Sequence, residues 1–344
     1  MLFRLFLYIS IFFLYSCSLD KDTKLSRNFE FSYQINLAKS DNKVQLWFPS
    51  PQSNETQLIS NENLNHGVLE CEKLIEPIHG NNYYYCYSDN GLEKSLDVTY
   101  TCNVNRSEHG AVLYADVNEK NYDKGTNNIT VPEGKIFKEI IDKYSLSVSN
   151  MRMVYDYVLN GMHYGKPKSK ESEYYKNPWL STNGKYGIKK VSRDEVVNLY
   201  KKAKNDGSNY TFGNGNSVYA CDIGVGNCTD YHSYFMSLSR TMDVPARFHM
   251  GFSIPNGESG KVGGYHCWAD YYIDGKGWYP VDISEADKNP SKEDYFFGTL
   301  DYNRLEFSIG RDLELLNYKK HVNFFVYPLV EGTTYTKLFH YKNI

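Results

Sequence analysis

Gly224-Val225-Gly226-Asn227-Cys228-Thr229-Asp230-Tyr231 reads as a tight loop turning into a helix. Asn227 is a favoured N-cap residue, and Asp230 three positions on can complete a capping-box-like arrangement, so a helix is expected from Cys228 to about Met242. Cys228 then sits in the first turn, where unpaired amides and the helix dipole stabilise negative charge. That setting favours thiolate over thiol. A buried, inert cysteine opening an amphipathic helix explains the segment equally well, so the weight falls on what lies downstream.

Gly264-Tyr265-His266-Cys267-Trp268-Ala269-Asp270-Tyr271-Tyr272-Ile273 has the alternation of a strand, with His266, Trp268 and Asp270 on one face. Gly277-Trp278-Tyr279-Pro280-Val281-Asp282 follows across the turn residues Asp274-Gly275-Lys276-Gly277, and the two runs predict a hairpin. A lone histidine there has an ordinary structural reading, as does an acid that ends a strand. Together with Cys228 they offer a nucleophile, a base and an orienter: a thiol at a helix start, an imidazole on a strand and a carboxylate on its neighbour. The arrangement carries a geometric condition. His266 and Asp282 must share a sheet face, so their pairing sum must be even, which demands an odd-length loop or a bulge.

This order and spacing resemble the transglutaminase-like superfamily, whose core is shared with papain-like cysteine enzymes. The resemblance rests on Gly226-x-Cys228-x-Asp230, then Ser239-Arg240-x-x-Asp243-Val244-Pro245-Ala246-Arg247, then His266-x-Trp268, then Gly277-Trp278-x-x-x-Asp282. It implies an α+β fold in which helices pack on an antiparallel sheet. It also implies catalytic roles for Cys228, His266 and Asp282, with Trp268, Asn227 and Asp230 as cleft and support residues. The implied chemistry is acyl transfer through a thioester on peptide or carboxamide bonds, without a cofactor or metal. The likeness extends outward: Val44-Gln45-Leu46-Trp47-Phe48-Pro49-Ser50-Pro51 with Gln57 is similar to the N-terminal β region of bacterial relatives, and residues 305–331 to their C-terminal segment. Two features depart from the pattern. Cys267 beside the histidine is unusual and could bond Cys221, and residues 165–192 look inserted.

Around this core the sequence organises itself. Phe29 to Ile35, Val44 to Pro49, Tyr83 to Tyr87 and Leu96 to Val104 alternate with period two and predict a small antiparallel β domain over residues 28–110. Polar residues 116–128 read as a linker. Helical periodicity begins near Pro132 and resumes at Met151, and Ser192 with Glu195 signals another helix start. The catalytic domain is expected over residues 130–310, with a C-terminal β segment, 311–344, packed on it. Arg247, at a strand start, is expected to bury against a carboxylate.

Composition limits the function classes. With 38 Lys plus Arg against 41 Asp plus Glu, the net charge is −3, which argues against nucleic acid as a partner. Aromatic residues at 16% exclude a disordered chain. Residues 2–15 form an apolar run of h-region length, and Leu14-Tyr15-Ser16-Cys17 resembles a bacterial lipobox, so residues 1–17 read as a signal peptide and 18–27 as a tether. The alternative is an ordinary cleaved signal peptide with a chance cysteine. The expected protein is an exported, membrane-anchored lipoprotein lipidated at Cys17. Export permits disulfides, and a pair among Cys71, Cys86 and Cys102 is expected. The substrate is expected to be a peptide or protein. Hydrolysis is favoured over amine transfer, because the segment 165–190 is polar and water at about 55 M outcompetes scarce amines at an unshielded thioester. A non-catalytic binding protein retaining the fold is the rival from another class.

Overall fold

The computed structural model describes residues 25–123, 131–165 and 186–344. Cys17, its lipobox and most of the 165–192 segment lie outside the described residues.

The N-terminal part is a β sandwich. Strand β1 (Ser26–Leu37) alternates without a break, placing Phe29, Phe31, Tyr33, Ile35 and Leu37 inward and polar residues outward. It pairs with β6 (Leu96–Ser107), whose Val98, Tyr100, Cys102 and Val104 face the same core. The second sheet holds β2 (Val44–Pro49), β4 (Glu70–Ile75) and β5 (Asn82–Ser88). Cys71 stands directly opposite Cys86 on β4 and β5, and the two form a disulfide. Both β3 (Gln57–Asn65) and β4 are edge strands of mostly exposed polar residues, so neither carried an alternating signal.

The second half of the chain holds a different architecture. Strands β9 (Ala246–Ser253), β11 (Tyr265–Ile273), β12 (Gly277–Val281) and β13 (Arg304–Ile309) form an antiparallel sheet in the order β12-β11-β9-β13. The buried helix Cys228–Thr241 packs on β9 and β11, with Phe235 against Tyr271. Helices Lys135–Tyr144 and Met151–Gly161 flank it. Ser192 and Glu195 close a complete capping box at the start of Arg193–Asp206. Two further helices, Ser217–Ile223 and Ile283–Lys288, span only seven and six residues, too few for a helical period to show in the sequence. This is the expected α+β fold, helices on an antiparallel sheet.

The C-terminal segment meets this core, where Arg311 Nη1 donates to Gly215 O at 2.9 Å and Phe324 and Tyr327 pack on Tyr265, and its strands continue into the N-terminal part. Strand β15 (Tyr335–Asn343) pairs along β1, and β14 (Leu329–Glu331) pairs with β2, so both complete the N-terminal sandwich. The physical reason is β1 itself: both of its edges need partners, and β6 fills only one. On its far side β15 receives β10 (Ser259–Lys261), which lies between β9 and β11 in the chain. Phe252 of β9 meets Phe31 and Phe339 at ring-centroid distances of 5.3 and 4.6 Å, and one apolar core runs through both halves.

Candidate active site

The loop before Cys228 is fixed from several directions. Val225 and Gly226 pair in parallel with His163 and Tyr164. Asn227 Oδ1 accepts from the Thr229 amide at 2.9 Å, and Asp230 Oδ2 accepts from the Asn227 amide at 3.0 Å, which completes the capping box. The Asp230 carboxylate also receives the amides of Gly213 and Gly215 at 2.8 and 3.0 Å. It thereby ties the preceding loop to the helix start. Burial pushes its pKa up to about 7 against the pull of these three amides. The spacing Gly226-x-Cys228-x-Asp230 follows from this contact. A Cβ on Gly226 would lie 2.5 Å from the Asp230 Cβ, so only glycine fits beneath the carboxylate.

The hairpin meets its geometric condition. Ala269 pairs with Val281 and Ile273 with Gly277, so the pairing sum is even, and residues 274–276 form a three-residue loop. Gly275 and Gly277 adopt φ of +68° and +96°, conformations that suit glycine. Carried one step further, this register sets Asp282 opposite Trp268, on the face of His266. The His266 Nε2 lies 2.6 Å from Asp282 Oδ2. The other ring nitrogen is left for Cys228, whose ionisation the imidazole favours.

The electrostatics favour an ion pair. Burial alone would raise the Cys228 pKa; hydrogen bonds from the Cys267 thiol and the His266 ring, with the imidazolium charge, outweigh it and hold the thiol well below its ordinary range. Burial would lower His266, yet the Asp282 carboxylate and the Cys228 sulfur lift it to about 9. Asp282 is itself held well below the carboxylate range, despite burial, by His266 and Arg304. Arg304 Nη1 donates to Asp282 Oδ2 at 2.6 Å, while Ser284 Oγ and the Glu285 amide donate to Oδ1, each at 3.0 Å. Thiolate, imidazolium, carboxylate and guanidinium alternate in sign along one buried line.

Sequence reasoning missed two members of this constellation. Arg304 comes from β13, more than twenty residues past Asp282, and no local pattern marks it. His232 lies one helical turn after Cys228; its Nε2 accepts the Ile283 amide at 3.1 Å and approaches Asp282 Oδ1 at 3.7 Å. Burial lowers its pKa to about 4, so it is a neutral brace between the helix and the Asp282 corner. The i, i+4 spacing from Cys228 was the available signal.

The expected support residues divide. Asn227 caps the helix and its Nδ2 donates to the Tyr265 hydroxyl at 3.1 Å. Trp268, expected to wall the cleft, is instead 2% exposed, lying flat on His249 with ring centroids 5.9 Å apart and beneath the Arg304 guanidinium. It props the sheet behind His266. Arg247 is fully buried against Asp270, with Nε donating to Oδ1 at 3.0 Å, and stacks on Trp278. Cys267 and Cys221 are both free, so the bond between them is not formed. Among the described residues, His266, Asp282 and Glu285 are the one group whose ligand atoms lie close enough for a metal ion. The Arg304 guanidinium already occupies the Asp282 oxygen that faces His266, and its charge opposes a cation there.

Residues 189–283, which include Cys228 at its helix start, His266 on β11 and Asp282 just past β12, match the family model of the transglutaminase-like superfamily. An uncharacterized protein of Haemophilus influenzae is 31% identical over 166 residues, covering 38% of this chain. The match spans 45% of that relative's own length. Among solved structures, a protein of Cytophaga hutchinsonii described as a proposed cysteine protease is similar over 93% of this chain and 98% of its own, at 13% identity and a TM-score of 0.48. The periplasmic domain of TgpA from Pseudomonas aeruginosa is similar over 75% of each chain, at 12% identity and a TM-score of 0.30.

Proposed function

We propose that the protein is an exported cysteine hydrolase that cleaves peptide or carboxamide bonds through a Cys228 thioester. The observation that carries this reading is the buried line from the Cys228 thiolate through His266 to Asp282. In the proposed cycle Cys228 attacks the carbonyl carbon, and the Cys228 amide at the helix start faces the oxyanion. His266 passes its proton to the leaving amine, which breaks the C–N bond and leaves the acyl group on sulfur. The now neutral imidazole takes a proton from water, whose hydroxide attacks the thioester and frees the acid, restoring thiolate and imidazolium. Asp282, held by Arg304, keeps the ring oriented through both steps.

Hydrolysis is favoured over amine transfer because water at about 55 M outcompetes scarce amines at a thioester. Arg304 and Glu285, which bond Asp282, also line a polar cavity of about 230 Å³ together with Asn289, Asp301 and Asn303. Export is supported by the apolar run ending at Cys17 and by the Cys71–Cys86 disulfide. Lipidation at Cys17 is part of the proposal, and mass spectrometry of the mature N-terminus tests it. No helix among the described residues is long and apolar enough to cross a membrane.

The deciding experiment incubates purified protein with a peptide library and a labelled primary amine. Peptide cleavage that vanishes in Cys228→Ala is the expected result. Amine incorporation outrunning hydrolysis overturns the choice of acceptor, and no turnover in either assay overturns the enzyme reading in favour of a binding protein.

A further inference from the structure

Cys267 is the feature of this site that the acyl-transfer cycle leaves unused. It neighbours His266 on β11, and these consecutive residues both reach the Cys228 sulfur. The Cys267 Sγ lies 3.7 Å from Thr229 Oγ1 and 4.0 Å from His232 Nδ1, the residue next to Cys228 and the one a helical turn beyond it, which sets its thiol beside Cys228. Two free thiols, one on the first turn of a helix and one on the strand beneath it, therefore meet at the nucleophile. We propose that they form a peroxide-responsive pair: a hydroperoxide oxidises Cys228, and Cys267 closes a disulfide onto it that holds the nucleophile in a recoverable form.

Access sets the order of events. Cys228 retains 3% exposure, whereas Cys267 is fully buried, so the oxidant meets Cys228 and only Cys228 can meet Cys267. The Cys228 thiolate attacks one peroxide oxygen; the O–O bond breaks, and the departing hydroxide takes the His266 proton and leaves as water. Cys228 is now a sulfenic acid. The Cys267 sulfur displaces its hydroxyl, and the thiol proton leaves with that hydroxyl as a second water. Two thiols have lost two electrons to one hydroperoxide, and the neighbouring sulfurs have closed to a bond of about 2 Å. Without a resolving thiol, sulfenic acid proceeds under excess peroxide to sulfinic acid, which ordinary thiol reductants do not reverse. The other free thiols of the described residues serve as internal controls: burial pushes Cys102 up to about 12 and Cys221 up to about 11, and both stay protonated.

The loss of turnover on oxidation rests on the hydrolase reading; formation of the bond does not. The test treats the native protein with hydrogen peroxide, alkylates remaining thiols and maps peptides without reduction. The expected product is a Cys228 peptide linked to a Cys267 peptide, lighter by two hydrogen atoms and released by dithiothreitol, with Cys102 and Cys221 alkylated. In Cys267→Ala, Cys228 is expected to reach sulfinic acid, and its alkylation after dithiothreitol to recover about tenfold less than in the parent. Sulfinic acid at Cys228 of the native protein with no linked peptide overturns the inference, whether or not the variant folds. A linked pair in a protein that cleaves no peptide sustains the inference and sinks the hydrolase reading instead.

Discussion

Replacing Asp282 with Asn keeps the shape of the side chain and removes its charge, which isolates what that charge does. His266 stands at about 9 rather than its ordinary 6.5, and Asp282 is the largest influence lifting it. The gap of roughly 2.5 units corresponds to about 3 kcal/mol in favour of the imidazolium. Because the protonated ring is what the fold stabilises, this contribution is fully present below pH ~6.5 and is lost as pH rises through about 9. Asp282 itself is depressed, so its share is present above pH ~4 and is lost as acid protonates it. Taking away the carboxylate should remove most of the lift on His266, about 2 units, and weaken the pull that keeps Cys228 ionised. At neutral pH the ring should go from almost wholly to about half protonated, and the preference for the ion pair over the neutral pair should drop on the order of 100-fold. Iodoacetamide alkylation of Cys228 as a function of pH reads the thiolate directly and needs no substrate. In the parent protein the rate should reach its plateau well below pH 9, and in Asp282→Asn the midpoint should move up. An unmoved midpoint in a variant with native circular dichroism would refute the ion-pair reasoning.

Arg304→Met takes a buried guanidinium from the same carboxylate, so it should cost about 3 kcal/mol and lower the melting temperature, yet strengthen the hold of Asp282 on His266. The basic limb of the kcat/KM profile should shift upward; a downward shift contradicts the assignment. Gly226→Ala drives a methyl group into Asp230, and a loss of roughly 1–3 kcal/mol with slower Cys228 alkylation is expected in a denaturant titration paired with labelling. Cys71→Ser with Cys86→Ser opens a closure of 15 residues and should lower stability by about 3 kcal/mol while leaving the alkylation profile of Cys228 in place, since the bridge lies in the sandwich.

The parts of this molecule that were legible in its sequence are those in which chemistry and periodicity are local. The capping residues around Cys228 and Ser192 announce their helices, the alternation of β1 is complete, and the parity of the hairpin follows from residue counting alone. Arg304 was not legible because its meaning depends on β13 lying two strands from β11, a long-range fact. Trp268 has the right face for a cleft wall, but the neighbours that bury it come from β9 and β13. Edge strands β3 and β4 escaped notice because solvent on both sides leaves no apolar rhythm.

The placement of β15 next to β1 also sets when this protein can exist as a folded object. Arg27 and Asn343, joined by a hydrogen bond of 3.0 Å, are 316 residues apart along the chain, and nearly every residue between them is synthesised before the central strand of the larger sheet gains its second neighbour. Until then β1 exposes an unpaired edge and a row of aromatic side chains, so native structure should arrive late and in one cooperative step. Export, as proposed, requires a chain that stays open for the whole passage through a translocation pore. Here the topology itself withholds closure until residues 335–343 emerge, making the far end of the polypeptide the latch for its beginning.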